Sequence, residues 1–407
     1  MDASASLGKN FDPFGQHLEE PFSFYAQLRH EEPITFNPVL NAYLVSRFEE
    51  VHAILSQPDV FSSRDTISPV GTLYPQTLVE LRKGYPFAPT FINSDGAAHK
   101  RLREPIRKAF SPPRIRALEP FIRQRIQQLL ERFPNDGHAE IISQFAVLLP
   151  LDVIFTLLGI PPEDREEVKR RCDDWTAFLM SPLPEERQVA CVRSMLILHR
   201  YLLDRIEERR VTPREDLLTD LVTTQLPGEE PFSEGELIYT IGGIIVAGHI
   251  TTTHLIGTGL VRLLQEPGRW RTMCEHPELI PQTIEEILRY DGPVRGFIRV
   301  ATRSVTLHGI EMPEGTRLFL LYNSANRDEE QFADADQFQM QRQPNQHLAF
   351  GYGVHYCLGA PLARLQGRLV FEALTRQLPT LRLVPGQHLA HYPDLVNYGY
   401  QRVEVEW

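Results

Sequence analysis

The stretch HLAFGYGVHYCLGAPLAR, residues 347–364, places one cysteine, Cys357, among Gly351, Gly353 and Gly359. Glycine tolerates positive φ and close approach, so these residues can wrap backbone tightly around the sulfur and aim amide N–H groups at it. Such a cradle stabilises a thiolate, which an unassisted cysteine with a pKa of about 8.5 barely supplies at neutral pH. The segment after Gly359 has helical spacing, and a helix N-terminus adds to the same field. Three chemistries stay open on these residues alone: a metal ligand, a nucleophile, or a small buried side chain in a glycine-rich turn, the ordinary fate of a lone cysteine.

Three other clusters have suggestive spacing. In IEEILRY, Glu286 and Arg289 stand three apart on one helix face, where opposite charges meet, although an isolated pair of this kind contributes only a few tenths of a kcal/mol. In SDGAAHKRLREPIRKAF, His99 and Arg103 stand four apart and share a face, the bland alternative being an exposed basic helix. In GGIIVAGHITTTHL, Ala247, Gly248 and Thr251 sit where glycine and threonine weaken a long helix, either for a local bulge or for a close helix crossing. Thr252 and Thr253 read as residues whose hydroxyls bond backward to the helix.

The elements that must position these residues are mostly helical. Apolar periodicity predicts helices near 21–31, 47–55, 99–109, 114–133, 139–158, 163–178, 185–209, 214–224, 233–264, 268–275, 279–291 and 358–377. Strand signals are confined to 42–47, 304–309, 315–322 and the last 30 residues or so. The expected class is α+β, a helix-rich body with small sheets, rather than alternating βα units. Residues 56–92 read as a long, weakly periodic loop.

Composition narrows the partners. A net charge of −11 disfavours nucleic acid, which needs a basic face. The N-terminal residues have neither the pattern of a signal peptide nor a membrane span, so a cytoplasmic chain with no membrane partner is expected. Cys172, Cys191, Cys274 and Cys357 form no CxxC pair, which argues against a disulfide framework or a closed zinc site.

The string FGYGVHYCLG resembles the haem-ligand loop of the cytochrome P450 family, F-x-x-G-x-H-x-C-x-G, at Phe350, Gly353, His355, Cys357 and Gly359. The other clusters follow in family order over nearly the whole chain, 1–407, which the resemblance makes one P450 domain. It implies haem b (iron protoporphyrin IX) on Cys357, with Phe350, Gly351 and Gly359 around the ligand. It implies His99, Arg103, Arg299 and His355 as donors to the haem propionates, a role suited to charge-assisted bonds. Glu286 and Arg289 would join Arg327 or Arg342 in a structural lock.

The distal pattern A-G-x-D/E-T matches at Ala247, Gly248 and Thr251, but Ile250 stands where the acid belongs. Oxygen activation needs two protons, and an isoleucine cannot relay one. Thr251 with water, or a substrate hydroxyl or amine, would have to complete the relay. The implied activity is insertion of one oxygen atom from O2, by hydroxylation or epoxidation, into a small-molecule substrate. That substrate is expected to be a secondary metabolite or a precursor tethered to a carrier protein. Electrons would come from a ferredoxin and ferredoxin reductase, and a basic cluster at Lys100, Arg101, Arg107, Lys108, Arg364 and Arg368 would suit an acidic ferredoxin. Ile250 keeps two alternatives open: a peroxide-driven or oxidative-coupling enzyme of the same fold, and a catalytically weak haem-binding protein. Family pocket positions fall at Phe91, Ile92, Phe178, Ile244, Ile250, Arg295, Phe297 and Val396, with Arg295 a candidate for an acidic substrate group.

Overall fold

A computed structural model describes residues 6–134 and 136–407. Its axis is the helix Glu234–Leu264, 31 residues long. Ser233 and Glu236 close a reciprocal capping box at its start, satisfying donors that would otherwise be orphaned. The helix is apolar nearly all round because other elements cover it. It is long and apolar enough to cross a membrane, yet 72% of its most apolar window is buried inside the fold, as befits a core helix.

Around this axis pack the helices Arg165–Met180 and Glu185–Val211 on one side and Ile280–Tyr290 and Ala360–Gln377 on the other. The main sheet has five strands in the order Ile34–Asn37, Ala42–Val45, Arg317–Leu321, Gly296–Ala301, Phe61–Ser62. Its centre is antiparallel, pairing Gly296 with Leu321 and Val300 with Arg317, and one pair is parallel, with Tyr43 against Leu318. The small hairpin Val305–Leu307 with Ile310–Met312 turns on His308 and Gly309, both at positive φ, which matches the twist of tight hairpins.

The helix-rich α+β architecture agrees with the sequence reading, and three regions differ. Residues 56–92 contain a strand, Phe61–Ser62, and a helix, Pro75–Leu81, whose proline sits at the first helical position. The helix expected over 114–133 divides into Pro112–Ala117 and Glu119–Leu130, the second with Pro120 in its first turn. The one expected over 139–158 begins as the strand His138–Glu140 and a π-turn, in which the Val147 N–H reaches back to the Ile142 carbonyl, before the α-helix Leu148–Leu158. The strand Gly296–Ala301 carried no signal: it is buried on nearly every residue, so it lacks the alternation that marks a half-exposed strand.

Candidate active site

Gly351 and Gly353 both adopt positive φ, at 69° and 70°. At Gly353 a Cβ would press on the Leu55 carbonyl at 3.0 Å, so the turn is closed to other residues on two counts. The Cys357 N–H donates to the Phe350 carbonyl at 3.0 Å, folding the loop back so that Cys357 faces inward ahead of the helix Ala360–Gln377. Burial pushes the thiol above its ordinary range, while the amides of Gly359 and Ala360, and then Arg103 and Arg364, pull the other way. The expected amide cradle is therefore present, but low dielectric outweighs it for the free thiol. A cation at the sulfur would reverse that order, because opposite charge favours the thiolate.

Behind the loop, Glu286 and Arg289 are completely buried and joined at 2.8 Å through both carboxylate oxygens. The carboxylate also accepts from Arg342 at 3.1 and 3.2 Å, Asn345 Nδ2 at 3.2 Å and the Gln339 N–H at 2.8 Å. Arg342 is thus the third member of the lock. Arg327 turns instead to Asp291 at 3.0 Å and lies between the rings of Phe22 and Tyr290.

The sulfur looks into a cavity of roughly 230 Å³ between the cysteine loop and the central helix. Ile244, Ala247, Gly248, Thr251 and Thr252 line the helix side, and Phe91, Ile92 and Phe297 close it from loops and sheet. Thr251 Oγ1 donates to the Ala247 carbonyl at 2.9 Å, and Thr253 bonds back to His249 at 2.9 Å as expected. Thr252 instead presents its side to the cavity. At Gly248 a Cβ would meet Ile154 at 2.8 Å, so this glycine also serves a close helix crossing.

At one edge of the cavity stand Arg103, Arg299 and His355. His99 packs against the His355 ring with centroids 4.3 Å apart and leaves a buried Nε2 without a partner. Arg299 is aimed by Thr66 Oγ1 at 2.9 Å, and His355 Nε2 pairs with Ser63 Oγ at 2.8 Å. Burial, then Arg299, His99 and Arg103, push His355 down to about 3. Two guanidiniums and an imidazole at the edge of an apolar cavity form a receptor for a dianion; the expected donor His99 does not line the cavity but packs behind His355, and its buried Nε2 costs on the order of 1–3 kcal/mol until something answers it. A planar apolar group with two carboxylates at one edge and a metal at its centre, which is what a haem is, fits this donor set and the facing thiol.

Four expected pocket residues do not line this cavity. Phe178 is 3% exposed and belongs to the apolar core beneath the helix Arg165–Met180. Ile250 sits on a helix face away from the lining set, so the position of the missing acid does not look onto the sulfur's cavity. Arg295 is wholly buried and spent on main chain, donating to the carbonyls of Asn397 at 3.2 Å and His17 at 3.3 Å and lying over the Tyr398 ring, so it has nothing left for a substrate. Val396 lines a second, separate cavity. Conversely, Thr66, Phe110, Val294 and Gln366 line the main cavity without having been singled out, since they come from segments with no common motif. The basic cluster is largely neutralised: Arg107 pairs with Glu104, Arg101 with Glu236, Arg364 with Glu285 through two bonds of 2.7 Å, and Arg368 with Glu119 and Glu372.

A helix-rich α+β fold that sets a loop cysteine against a long distal helix across an apolar cavity defines a class of haem-dependent oxidoreductases, and the comparisons place this chain within it. A sequence profile of the family described as Cytochrome P450 matches residues 51–275 and 270–380. The chain is 34% identical to Mycinamicin IV hydroxylase/epoxidase of Micromonospora griseorubida over 94% of each chain. It is 33% identical to Vitamin D(3) 25-hydroxylase of Pseudonocardia autotrophica over 96% of this chain and 94% of the relative. Among solved structures, cytochrome P450 CREJ in complex with (4-ethylphenyl) dihydrogen phosphate superposes with a TM-score of 0.92 at 30% identity, covering 98% of this chain and 100% of that one. The chain belongs to the cytochrome P450 family. It is a monooxygenase, and membership implies a haem cofactor, a small-molecule substrate, O2 and a source of electrons.

Proposed function

We propose that the described chain acts as one catalytic unit in the cytoplasm, binding haem b with Cys357 as its axial ligand and hydroxylating or epoxidising a small, largely apolar substrate. The observation that carries this reading is the pairing of Cys357, beneath the amides of Gly359 and Ala360, with the cationic edge formed by Arg103, Arg299 and His355, behind which the His99 Nε2 is buried without a partner. Those four residues would hold the propionates, and Phe350, Gly351 and Gly359 would shape the loop beneath the ring. When bound, a haem with a thiolate ligand supplies activation of O2 toward O–O cleavage and transfer of one oxygen atom.

The residues of this chain would do the rest. Phe91, Ile92, Ile244 and Phe297 exclude water and hold the substrate by its apolar surface. Ala247 and Gly248 leave room beside the central helix, and the Thr251 hydroxyl, held to the Ala247 carbonyl, is placed to pass a proton from water on the cavity side. Because Ile250 is turned off the cavity, proton delivery rests on the hydroxyls of Thr251 and Thr252. Electrons would come from a ferredoxin and its reductase. The relatives named for mycinamicin IV and vitamin D(3) support a secondary-metabolite or sterol-sized substrate, free or carried by a carrier protein.

The test is the carbon monoxide difference spectrum of the reduced protein beside Cys357→Ala. A long-wavelength Soret band that the substitution removes is the expected result. Haem with an unchanged neutral-ligand spectrum, or no haem, would overturn the assignment.

A further inference from the structure

The strand Arg317–Leu321 runs antiparallel to Gly296–Ala301, with Leu318 opposite Arg299 and Leu320 opposite Phe297. Opposed residues share a face of the sheet, the one from which Arg299 and Phe297 reach the haem cavity. Tyr322 is the next residue in the alternation of Leu318 and Leu320, and it lines the same cavity just as the strand ends. It is 2% exposed, and its ring meets Phe297 edge-on at 6.1 Å. A Cβ on Gly351 would stand 3.9 Å from both the Tyr322 hydroxyl and the His355 carbonyl, which sets the phenol under the glycine turn and close to His355. Unlike the sealed Nε2 of His99, that hydroxyl is not closed off, and it makes no hydrogen bond among the described residues. Burial pushes the phenol above its ordinary range and Arg299 pulls it the other way, so at neutral pH the hydroxyl keeps a proton to donate. Arg299 itself spends only Nη1, on Thr66 and the Ile298 carbonyl, and its other donors make no hydrogen bond among the described residues. A phenol and a guanidinium with donors to spare thus face one apolar space, where each has lost hydration that an acceptor would replace.

We propose that Tyr322 is a further cofactor-holding residue whose hydroxyl donates to the haem carboxylate that Arg299 answers. The assignment rests on the haem reading above and adds a donor that lies outside every motif in the sequence. Arg103 and Arg299 already bring two positive charges to this edge. A neutral donor strengthens the hold on a carboxylate without adding to their mutual repulsion.

The experiment follows haem loss from the holoprotein, with excess apomyoglobin as acceptor, for the wild type and Tyr322→Phe. Each is loaded either with haem or with haem dimethyl ester, whose carboxylates are capped. Tyr322→Phe is expected to release haem about tenfold faster while releasing the dimethyl ester at the rate of the wild type. Equal rates of haem loss from the two proteins would overturn the assignment. Equal acceleration of haem and of its ester would overturn it too, because the phenol would then matter only for packing. Both of those outcomes leave the haem reading standing, whereas a wild type that takes up no haem would overturn that reading and this assignment with it.

Discussion

Beneath Cys357 the Glu286 carboxylate accepts from two arginines, an asparagine and a main-chain amide, and Arg289 goes on to donate to the carbonyls of Asn326 and Ala335. Across the cavity the roof presents aromatic and aliphatic surface, and polar atoms packed behind it stay unanswered: both ring nitrogens of His199, Trp175 Nε1 and Thr240 Oγ1 are buried without partners. One wall is organised by ion pairs around Glu286, although Asn345 Oδ1 and Asn326 Nδ2 there are also buried without partners. The other is held mainly by apolar contact, which fixes volume but not chemistry. A fold organised this way keeps its ligand geometry constant while side chains over the substrate are free to vary.

The sharpest way to break the comparison is Glu286→Leu. Removing one partner strands two buried guanidiniums, and a loss of about 3–5 kcal/mol in unfolding free energy is expected by urea denaturation. A loss under about 1 kcal/mol would mean the network is ornamental. The roof, by contrast, should answer to acid. Burial holds His199 at about 4, below its ordinary 6.5. The unfolded chain takes up a proton below pH 6.5 while the folded one does not until about 4, so stability is complete above 6.5 and falls as pH drops through that window. One group so shifted accounts for up to about 3 kcal/mol across the window, and His199→Gln should flatten the slope of unfolding free energy between pH 6.5 and 4.5. An unchanged slope would remove His199 from the account.

Packing on the roof can be probed at Gly242, where a Cβ would fall 1.9 Å from the Trp175 ring. Gly242→Ala is expected to cost about 1–3 kcal/mol, read as a lowered thermal midpoint, since the indole has to move. The smallest effect belongs to the cavity's own lining. Phe297→Ala, at a half-buried position, should change stability by less than about 1.5 kcal/mol yet weaken an apolar azole severalfold in a spectral titration. If that affinity holds while stability collapses, Phe297 is core and not pocket.

The sequence made the ion-paired wall far more legible than the apolar one. Cys357 and its glycines lie within ten residues, and Glu286 and Arg289 are one helical turn apart, so local spacing carries their relation. The choice between Arg327 and Arg342 was not legible, because both lie in the irregular stretch between Asn326 and Phe350 and only the chain's path puts Arg342 on Glu286. Arg295 looked available because its partners, His17 and Asn397, lie 278 and 102 residues away. Phe178 and Phe297 have similar local settings, and only the packing of distant elements turns one into the core and the other onto the cavity.

The arginines around the cysteine loop bear on how an electron donor would arrive. Arg101, Arg107, Arg364 and Arg368 are each matched with a carboxylate at close range, so beyond a Debye length of about 8 Å they exert almost no field. Lys100 and Lys108, on that helix, form no ion pair within 4 Å among the described residues, although both, after Arg107, help hold the Glu104 carboxylate below its ordinary range. Reduction by an acidic donor should therefore begin in an unsteered diffusional encounter, and its rate should change little as ionic strength rises.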